Sequence, residues 1–177
     1  MGAQDIAAAL QRVEAVLRRR PETGLHDDAS ATAKWDGATR VIASHANGTQ
    51  VATDMPTELG GTGDKVTPGW LFRAGLASCA ATSIALLAVA EGIDLSALEI
   101  RASSRSDARG MLGIAEVDGK PVSAGPGDVQ LHVHIAAQGV SLERLRALVE
   151  TGIQRSPIPT AVSCATPLGL HIDVNAG

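Results

Sequence analysis

The feature that most constrains the fold of this chain is a long apolar stretch from Trp70 to Ala90, which contains one charged residue, Arg73. Thr67 and Pro68 stand just before this stretch. The pair is typical of a helix start, because a Thr side chain caps free N–H groups and Pro fits the first helical turn. The sequence therefore predicts one long helix that begins at Pro68 and ends near Glu91-Gly92.

This stretch is also long enough to cross a membrane, which needs about 20 apolar residues. Seven of its residues are Ala, and hydroxyl or thiol groups occupy positions 78, 79, 82 and 83, so it is poorly suited to lipid. We expect a buried core helix and no membrane partner. The first residues also predict no signal peptide, because polar and charged side chains interrupt them: Asp5, Gln11, Arg12 and Glu14.

Length and composition predict a single cytoplasmic domain. A chain of 177 residues suits one domain with a substantial core, built from aliphatic side chains because Tyr is absent and Phe occurs once. The net charge of -4, with both signs interspersed, argues against a nucleic-acid partner. Two cysteines without paired spacing argue against a disulfide framework and favour a reducing compartment.

The pattern along the chain predicts an α+β fold. We assign residues 1–32 to an N-terminal helix, over 4–20, and a polar linker, and residues 33–177 to the main domain. Asn47-Gly48 favours a type I′ turn and therefore a β-hairpin between 39–45 and 49–53. The remaining predicted elements are a three-stranded meander of residues 97–105, 111–117 and 128–136, a helix from Ser141 to about Ser156, which Pro157 ends, and a final strand Leu168–Val174.

The two cysteines are the first candidates for chemistry. Cys79 lies inside the apolar helix between Ala77 and Ala81, so it is either a small buried side chain or, as thiolate, a nucleophile. Cys164 precedes the last strand, where it either packs or acts as the second thiol that captures an oxidised Cys79.

Two other patterns point to a metal or a nucleotide, and both are weaker. His132 and His134 share one face of a predicted strand, and His171 lies in the last strand, so a three-histidine metal site requires these strands to be neighbours. The glycine-rich loop Gly60 to Asp64 lacks the spacing of a phosphate-binding loop. We therefore predict no metal and no cofactor.

The segment VTPGWLFRAGLASCAATSIALLAVAEGI, residues 66–93, resembles the OsmC/Ohr family of osmotically inducible and organic hydroperoxide resistance proteins. In that family a Pro-initiated helix runs through an SC pair into an apolar helix. The hairpin with MPTELGGTGDK upstream, and the strands, helix and SP pair downstream, follow the same order. The resemblance covers about residues 33–175 and implies an OsmC-like fold, with antiparallel sheets around the central Cys-bearing helix, in an intertwined homodimer.

The resemblance also implies a site at the subunit interface. Cys79 matches the peroxidatic Cys, which attacks a hydroperoxide and becomes a sulfenic acid. The resolving Cys that captures it is replaced here by Ser156, before Pro157, and the Glu that follows the initiating Pro is replaced by Gly69. The activating Arg normally comes from the first strands.

In this chain the candidates for the activating cation are Arg40 and Lys34. Arg73 lies six residues before Cys79, which turns it about 240° away on the same helix.

Two functions remain open from the sequence. In the first, Cys79 reduces small hydroperoxides, and an external thiol reductant, or Cys164, regenerates it. In the second, the dimer binds a small apolar ligand without catalysis, having lost the redox pair at Ser156.

Overall fold

The computed structural model of the protein describes residues 2–174. Within this range the elements are, in chain order, α1 (Ala3–Arg19), β1 (Ala31–Trp35), β2 (Val41–His45), β3 (Gln50–Thr53), α2 (Pro68–Ala90), β4 (Leu95–Arg105), α3 (Ala108–Met111), β5 (Gly127–Ala137), α4 (Leu142–Gln154) and α5 (Pro157–Ser163). Strands β1, β2 and β3 form one antiparallel sheet, and β4 pairs with β5 in a second. The predicted α+β class is confirmed.

Helix α2 begins and ends as the sequence predicts. The Thr67 side chain accepts a hydrogen bond from the Trp70 backbone N–H at 3.2 Å, and Pro68 occupies the first helical position. At the other end, Glu91 follows the last helical residue and Gly92 turns the chain with φ +69°. A positive φ is strained for residues with a Cβ, which explains a glycine there.

The core is built on one side of α2. Its fully buried residues recur every four positions, at Leu76, Ala80, Ile84 and Ala88, and therefore form one stripe along the helix. This buried stripe packs against β4 and α4, where Leu148 joins the cluster of Ile84 and Ala88. The half-buried side chains around the cluster include Leu98, Ile100, Val133, Ile135 and Ile153.

The opposite side of α2 is exposed. Ser78, Thr82, Leu86 and Ala90 also recur every four positions, and we call them the open stripe. Within residues 2–174, one helix, α2, is long enough and apolar enough to cross a membrane, judged by length and composition alone. Only 28% of its most apolar 18-residue segment is buried in the protomer. The protomer therefore covers only part of an apolar helix.

The strands of the three-stranded sheet contact one another far more than they contact the other described elements. Val41 pairs with Thr53 and Ser44 with Gln50 in the predicted hairpin, which is confirmed. The predicted type I′ turn is wrong, because Gly48 has φ +91° but Asn47 has no positive φ, and the Gly48 N–H donates to the His45 carbonyl. Contacts of this sheet with the helices and with β4 and β5 are sparse in the described chain. Strand β1 extends the hairpin by one strand, and its first two residues, Ala31 and Thr32, lie in the segment that the sequence pattern assigns to a linker.

Two predicted strands are absent from the described residues, and each lacks a partner. For residues 111–117 the prediction is wrong, because the Asp107 side chain caps the short helix α3, Gly113 has φ +70°, and Ala115 forms only an isolated bridge with Pro121. Residues 168–174 are irregular, although apolar side chains alternate there. These side chains are 71–96% exposed in Leu168, Leu170, Ile172 and Val174.

A further helix, α5, was not predicted. The prolines do end α4, as expected, but Pro157 then opens a new helix at its first position. Pro is tolerated there because the first N–H of a helix has no intrahelical partner.

The approach of α4 to α2 depends on Gly152, and we expect Gly152→Ala to destabilise the protein. A Cβ at residue 152 would lie 2.6 Å from Ile84 Cγ1 and 3.0 Å from Ile84 Cα, in a fully packed part of the core. Overpacking of this kind costs about 1–3 kcal/mol of unfolding free energy, measurable by chemical denaturation.

The matched control is Gly69→Ala in α2, where the nearest atoms to the new Cβ lie at 3.7 and 3.8 Å. There we expect no loss of stability, and a gain of up to about 1 kcal/mol from helix propensity. Equal stability of the two variants would contradict the close packing at Gly152.

Candidate functional site around Cys79

The thiol of Cys79 lies in the middle of α2, between the buried stripe and the open stripe, and its side chain is partly exposed. Two groups from one segment of the chain donate hydrogen bonds to its sulfur. The Ser156 hydroxyl lies 3.2 Å from Cys79 Sγ, and the backbone N–H of Ile158 lies 3.5 Å from the same sulfur. The structure thus brings together two of the predicted site positions, 79 and 156.

The end of α4 and the start of α5 hold these donors in place. The Ser156 backbone N–H donates to the Ile153 carbonyl at 3.1 Å, and the Ser156 carbonyl accepts from Thr160 N–H at 3.0 Å. Pro157 carries no N–H, so Ile158 supplies the first free N–H of α5, which has no partner within the helix. That N–H donates instead to Cys79.

Burial makes the contact of Ser156 specific. Ser156 is completely buried, and a buried hydroxyl is costly unless it forms a hydrogen bond. Its hydroxyl donates to the Cys79 sulfur. The Cys79 sulfur and the buried Ser156 hydroxyl therefore form one hydrogen-bonded pair.

Arg40 is held elsewhere by carboxylates. Its Nη2 lies 2.6 Å from Asp64 Oδ1 and 3.4 Å from Asp54 Oδ2, and it also donates to the Thr62 hydroxyl. The hydroxyls of Thr39 and Thr62, which donate to Asp54, hold the pKa of this buried carboxyl well below its usual range. Within residues 2–174, Arg40 makes no contact with Cys79, and its partners are those of a structural ion-pair network.

Neither Arg73 nor residue 69, which is a glycine, places a charged group in contact with the Cys79 sulfur. Arg73 Nη1 donates to the Ser104 hydroxyl at 3.3 Å, on the β4 side of α2. A side chain at residue 69 would begin 3.7 Å from the same guanidinium. Lys34 lies on the exposed strand β1. In the described part of the chain, no cation contacts the Cys79 sulfur.

Cys164 lies at the other end of α5. It follows Ile158 by six residues, a rise of about 9 Å along a helix axis, and its sulfur contacts the Ser163 hydroxyl at 3.8 Å. It is exposed and lines an open apolar groove of about 490 Å³. The other apolar groups of this groove come from Leu76, Val129, Leu131, Ile153, Pro159 and Val162.

The three histidines do not come together. His134 pairs with Glu99 and His132 with Arg101 across the β4–β5 sheet, and His171 belongs to the irregular segment. Residues 2–174 contain no group of three or more His, Cys, Asp or Glu side chains that could hold a metal ion. The three-histidine alternative therefore has no support in this part of the chain.

The donor that sequence reasoning missed is the Ile158 N–H. Its signal was present in the segment Ser-Pro-Ile-Pro, because Pro157 is a common first residue of a helix and leaves the next N–H free. Pro157 therefore both ends α4 and opens α5.

Fold and site together define a class of α+β proteins that place a thiol in the middle of a long apolar helix and approach it from a second, proline-initiated helix. The sequence model of the family described as OsmC-like protein matches residues 61–171. This is more than half of the chain, and the chain therefore belongs to the OsmC family. Among curated proteins, no sequence matches this chain.

Solved structures of the same family share the fold. The OsmC-like protein from Mycoplasma pneumoniae is 18% identical, with a TM-score of 0.65 over 78% of this chain and 89% of that one. An organic hydroperoxide resistance protein from Elizabethkingia anophelis is 23% identical, with a TM-score of 0.57 over 78% and 89%. The organic hydroperoxide resistance protein OsmC from Legionella pneumophila is 22% identical, with a TM-score of 0.55 over 77% and 91%.

The proximity of Ser156 to Cys79 generates a prediction about a second thiol at this position. We expect Ser156→Cys to form a disulfide with Cys79 on mild oxidation, because the hydroxyl oxygen lies 3.2 Å from the sulfur, within the adjustment that a disulfide requires. Intact mass should show a loss of two hydrogens, and thiol titration should count one remaining thiol, Cys164.

The control is Ser123→Cys, in an exposed loop of the chain. This variant also carries three cysteines, and all three should stay free. Three free thiols in oxidised Ser156→Cys would contradict the observed position of residue 156.

Proposed function

We propose that this protein reduces organic hydroperoxides through Cys79 and that an external small thiol regenerates it. The observation that carries the proposal is the pair of donors, Ser156 hydroxyl and Ile158 N–H, aimed at the Cys79 sulfur. Family membership supports it, as do the similar structures from Elizabethkingia anophelis and Legionella pneumophila, which are organic hydroperoxide resistance proteins by name.

The reaction begins with attack of the Cys79 thiolate on the outer oxygen of the peroxide. The O–O bond breaks, the alcohol leaves with a proton from solvent, and Cys79 becomes a sulfenic acid. The Ser156 hydroxyl cannot form a disulfide with it. An external thiol therefore attacks the sulfenic sulfur, releasing water and leaving a mixed disulfide, and a second thiol restores Cys79.

Such a cycle needs a compartment rich in small thiols. We therefore place the protein in the cytoplasm, where glutathione-type thiols keep cysteines reduced. Both cysteines of the chain are free in the structure, in keeping with this proposal.

We expect Cys79→Ala to abolish hydroperoxide consumption and Cys164→Ser to leave most of it. The measurement is loss of cumene hydroperoxide in the presence of excess dithiothreitol, followed for wild type and both variants. The reason is that the donors converge on Cys79, whereas Cys164 lies at the far end of α5. Equal rates for wild type and Cys79→Ala would exclude the enzymatic proposal.

We further propose that the functional unit is a homodimer. The open stripe of α2 is uncovered in the protomer, and the three-stranded sheet has few contacts with the other elements of the described chain. Each surface exposes a large apolar side chain, Leu86 on the open stripe and Trp35 on β1, and exposed apolar groups of this kind favour an interaction site. A second copy, with its own sheet and open stripe, supplies complementary surfaces in a two-fold arrangement.

We expect Leu86→Glu to shift the protein from dimer to monomer in light scattering coupled to gel filtration. Leu86 is 40% exposed on the open stripe, so the charge would be buried by a partner but would be harmless in a free protomer. The control is Val117→Glu, at a fully exposed loop position, which should remain dimeric. Dimeric Leu86→Glu would show that the open stripe is not the interface.

The second candidate function is binding of a small apolar ligand without catalysis. Its supporting observation is that Arg40 is bound by Asp54 and Asp64, while an apolar groove of about 490 Å³ lies beside α5. A medium-chain fatty acid is a suitable probe. Thermal stabilisation by this probe that is unchanged in Cys79→Ala, together with no peroxide consumption by wild type, would favour binding over catalysis.

A further inference from the structure

The groups nearest to the Cys79 sulfur are a hydroxyl and a backbone N–H, and neither is a thiol. A sulfenic acid normally condenses with a second thiol, but the group at that place is Ser156, and Cys164 lies at the other end of α5. The remaining neighbour of the sulfur is a backbone nitrogen, Ile158 N, at 3.5 Å. Sulfenic acids also condense with backbone nitrogens, forming sulfenamides.

We propose that oxidised Cys79 forms a reversible sulfenamide cross-link with the backbone nitrogen of Ile158. This inference rests on the proposed function, because the hydroperoxide supplies the oxidising equivalents. It adds a regulated state to that site, in which the sulfur of α2 is covalently tied to the start of α5.

The step balances without another oxidant. Reduction of the hydroperoxide has already converted Cys79 to its sulfenic acid. The Ile158 nitrogen then attacks the sulfur, an S–N bond forms, and the S–O bond breaks. The amide proton and the departing hydroxide leave together as water. A thiol reverses the link by attacking the sulfur, which gives a mixed disulfide and returns the proton to the nitrogen.

Three features of the segment fit this step. The Ile158 N–H is in the first turn of α5 and has no helical partner, so its loss breaks no backbone hydrogen bond of the helix. The nitrogen already faces the sulfur, because its N–H donates to it. The Ser156 hydroxyl, completely buried and 3.2 Å from the sulfur, is placed to donate a hydrogen bond to the departing oxygen.

The link would protect a peroxidase that lacks a second thiol at the site. A sulfenic acid that persists under excess peroxide is converted to sulfinic and sulfonic acids, which small thiols do not reduce. Closure onto Ile158 removes the sulfenic acid from this path and keeps Cys79 recoverable.

The test uses the Cys164→Ser protein, in which Cys79 is the only cysteine. One equivalent of cumene hydroperoxide is added without thiol, and the intact mass is measured. We expect a loss of two hydrogens relative to the reduced protein. Tandem mass spectrometry of a tryptic digest should join peptides 74–101 and 156–177 through Cys79 and Ile158. Dithiothreitol should restore the original mass.

Each other outcome overturns the inference and separates it from the proposed function. A gain of one oxygen without the link leaves the peroxidase proposal standing and overturns the sulfenamide. An unchanged mass, with unconsumed hydroperoxide, overturns both. A link from Cys79 to a lysine or to any nitrogen other than Ile158 also overturns the sulfenamide.

A pair of variants in the Cys164→Ser background tests the nitrogen itself. Ile158→Pro removes one N–H at a first-turn position of a helix, where proline is tolerated. We expect this variant to gain one oxygen with one equivalent of peroxide and two or three with excess. Ile158→Val keeps the N–H and should lose two hydrogens, as the parent does. Loss of two hydrogens by Ile158→Pro would overturn the proposal, and circular dichroism checks that both variants are folded.

Discussion

The structure depends on one side of one helix. Leu76, Ala80, Ile84 and Ala88 are the buried stripe of α2, and both the β4–β5 sheet and α4 pack against it. The alanines of this stripe have small side chains, which let neighbouring elements approach closely. Gly152 of α4 has no side chain, and it therefore packs directly against Ile84. This approach brings the end of α4, and with it Ser156, to the thiol of Cys79. The site is therefore a consequence of core packing, since the residues that position it are those that stabilise the domain.

The serine at position 156 limits the chemistry that can follow an oxidation of Cys79. Ser156 still lies within contact distance of Cys79, and its hydroxyl donates a hydrogen bond to the sulfur. A hydroxyl stabilises negative charge on sulfur, but it cannot end an oxidation by forming a disulfide. The fate of an oxidised Cys79 thus passes to groups outside the pair, either a small thiol or the neighbouring Ile158 N–H.

The sequence predicted elements that carry their own local signals. The α2 start at Thr67-Pro68 follows from capping chemistry, which needs no distant partner. The hairpin at Asn47-Gly48 was also predicted, and Gly48 supplies its positive φ, although the turn is not of type I′. The predictions of strands at 111–117 and 168–174 were wrong. An alternating pattern indicates one face of a sheet, but it does not supply the neighbouring strand with which a strand must pair. Residues 111–117 instead follow the cap of Asp107 and the positive φ of Gly113. The resemblance named Cys79 and Ser156 as candidates, and the structure brings them into contact. The carboxylates that bind Arg40 have no signal in the sequence, because they are 14 and 24 residues away from it and meet it only in the fold.

The position of Cys79 between the buried and open stripes explains why the protomer supplies only part of its surroundings. Ala80, the next residue, is fully buried, whereas Ser78, the preceding one, is exposed. From the protomer the sulfur receives two hydrogen-bond donors, Ser156 and Ile158. Arg73, on the same helix, donates to Ser104, and Arg40 lies in a separate ion-pair network with two carboxylates. In the proposed homodimer, further groups that reach the sulfur belong to the second copy, because the partly exposed Cys79 borders the open stripe. The proposed interface and the candidate site are therefore neighbours on α2, since Ser78 of the open stripe directly precedes Cys79.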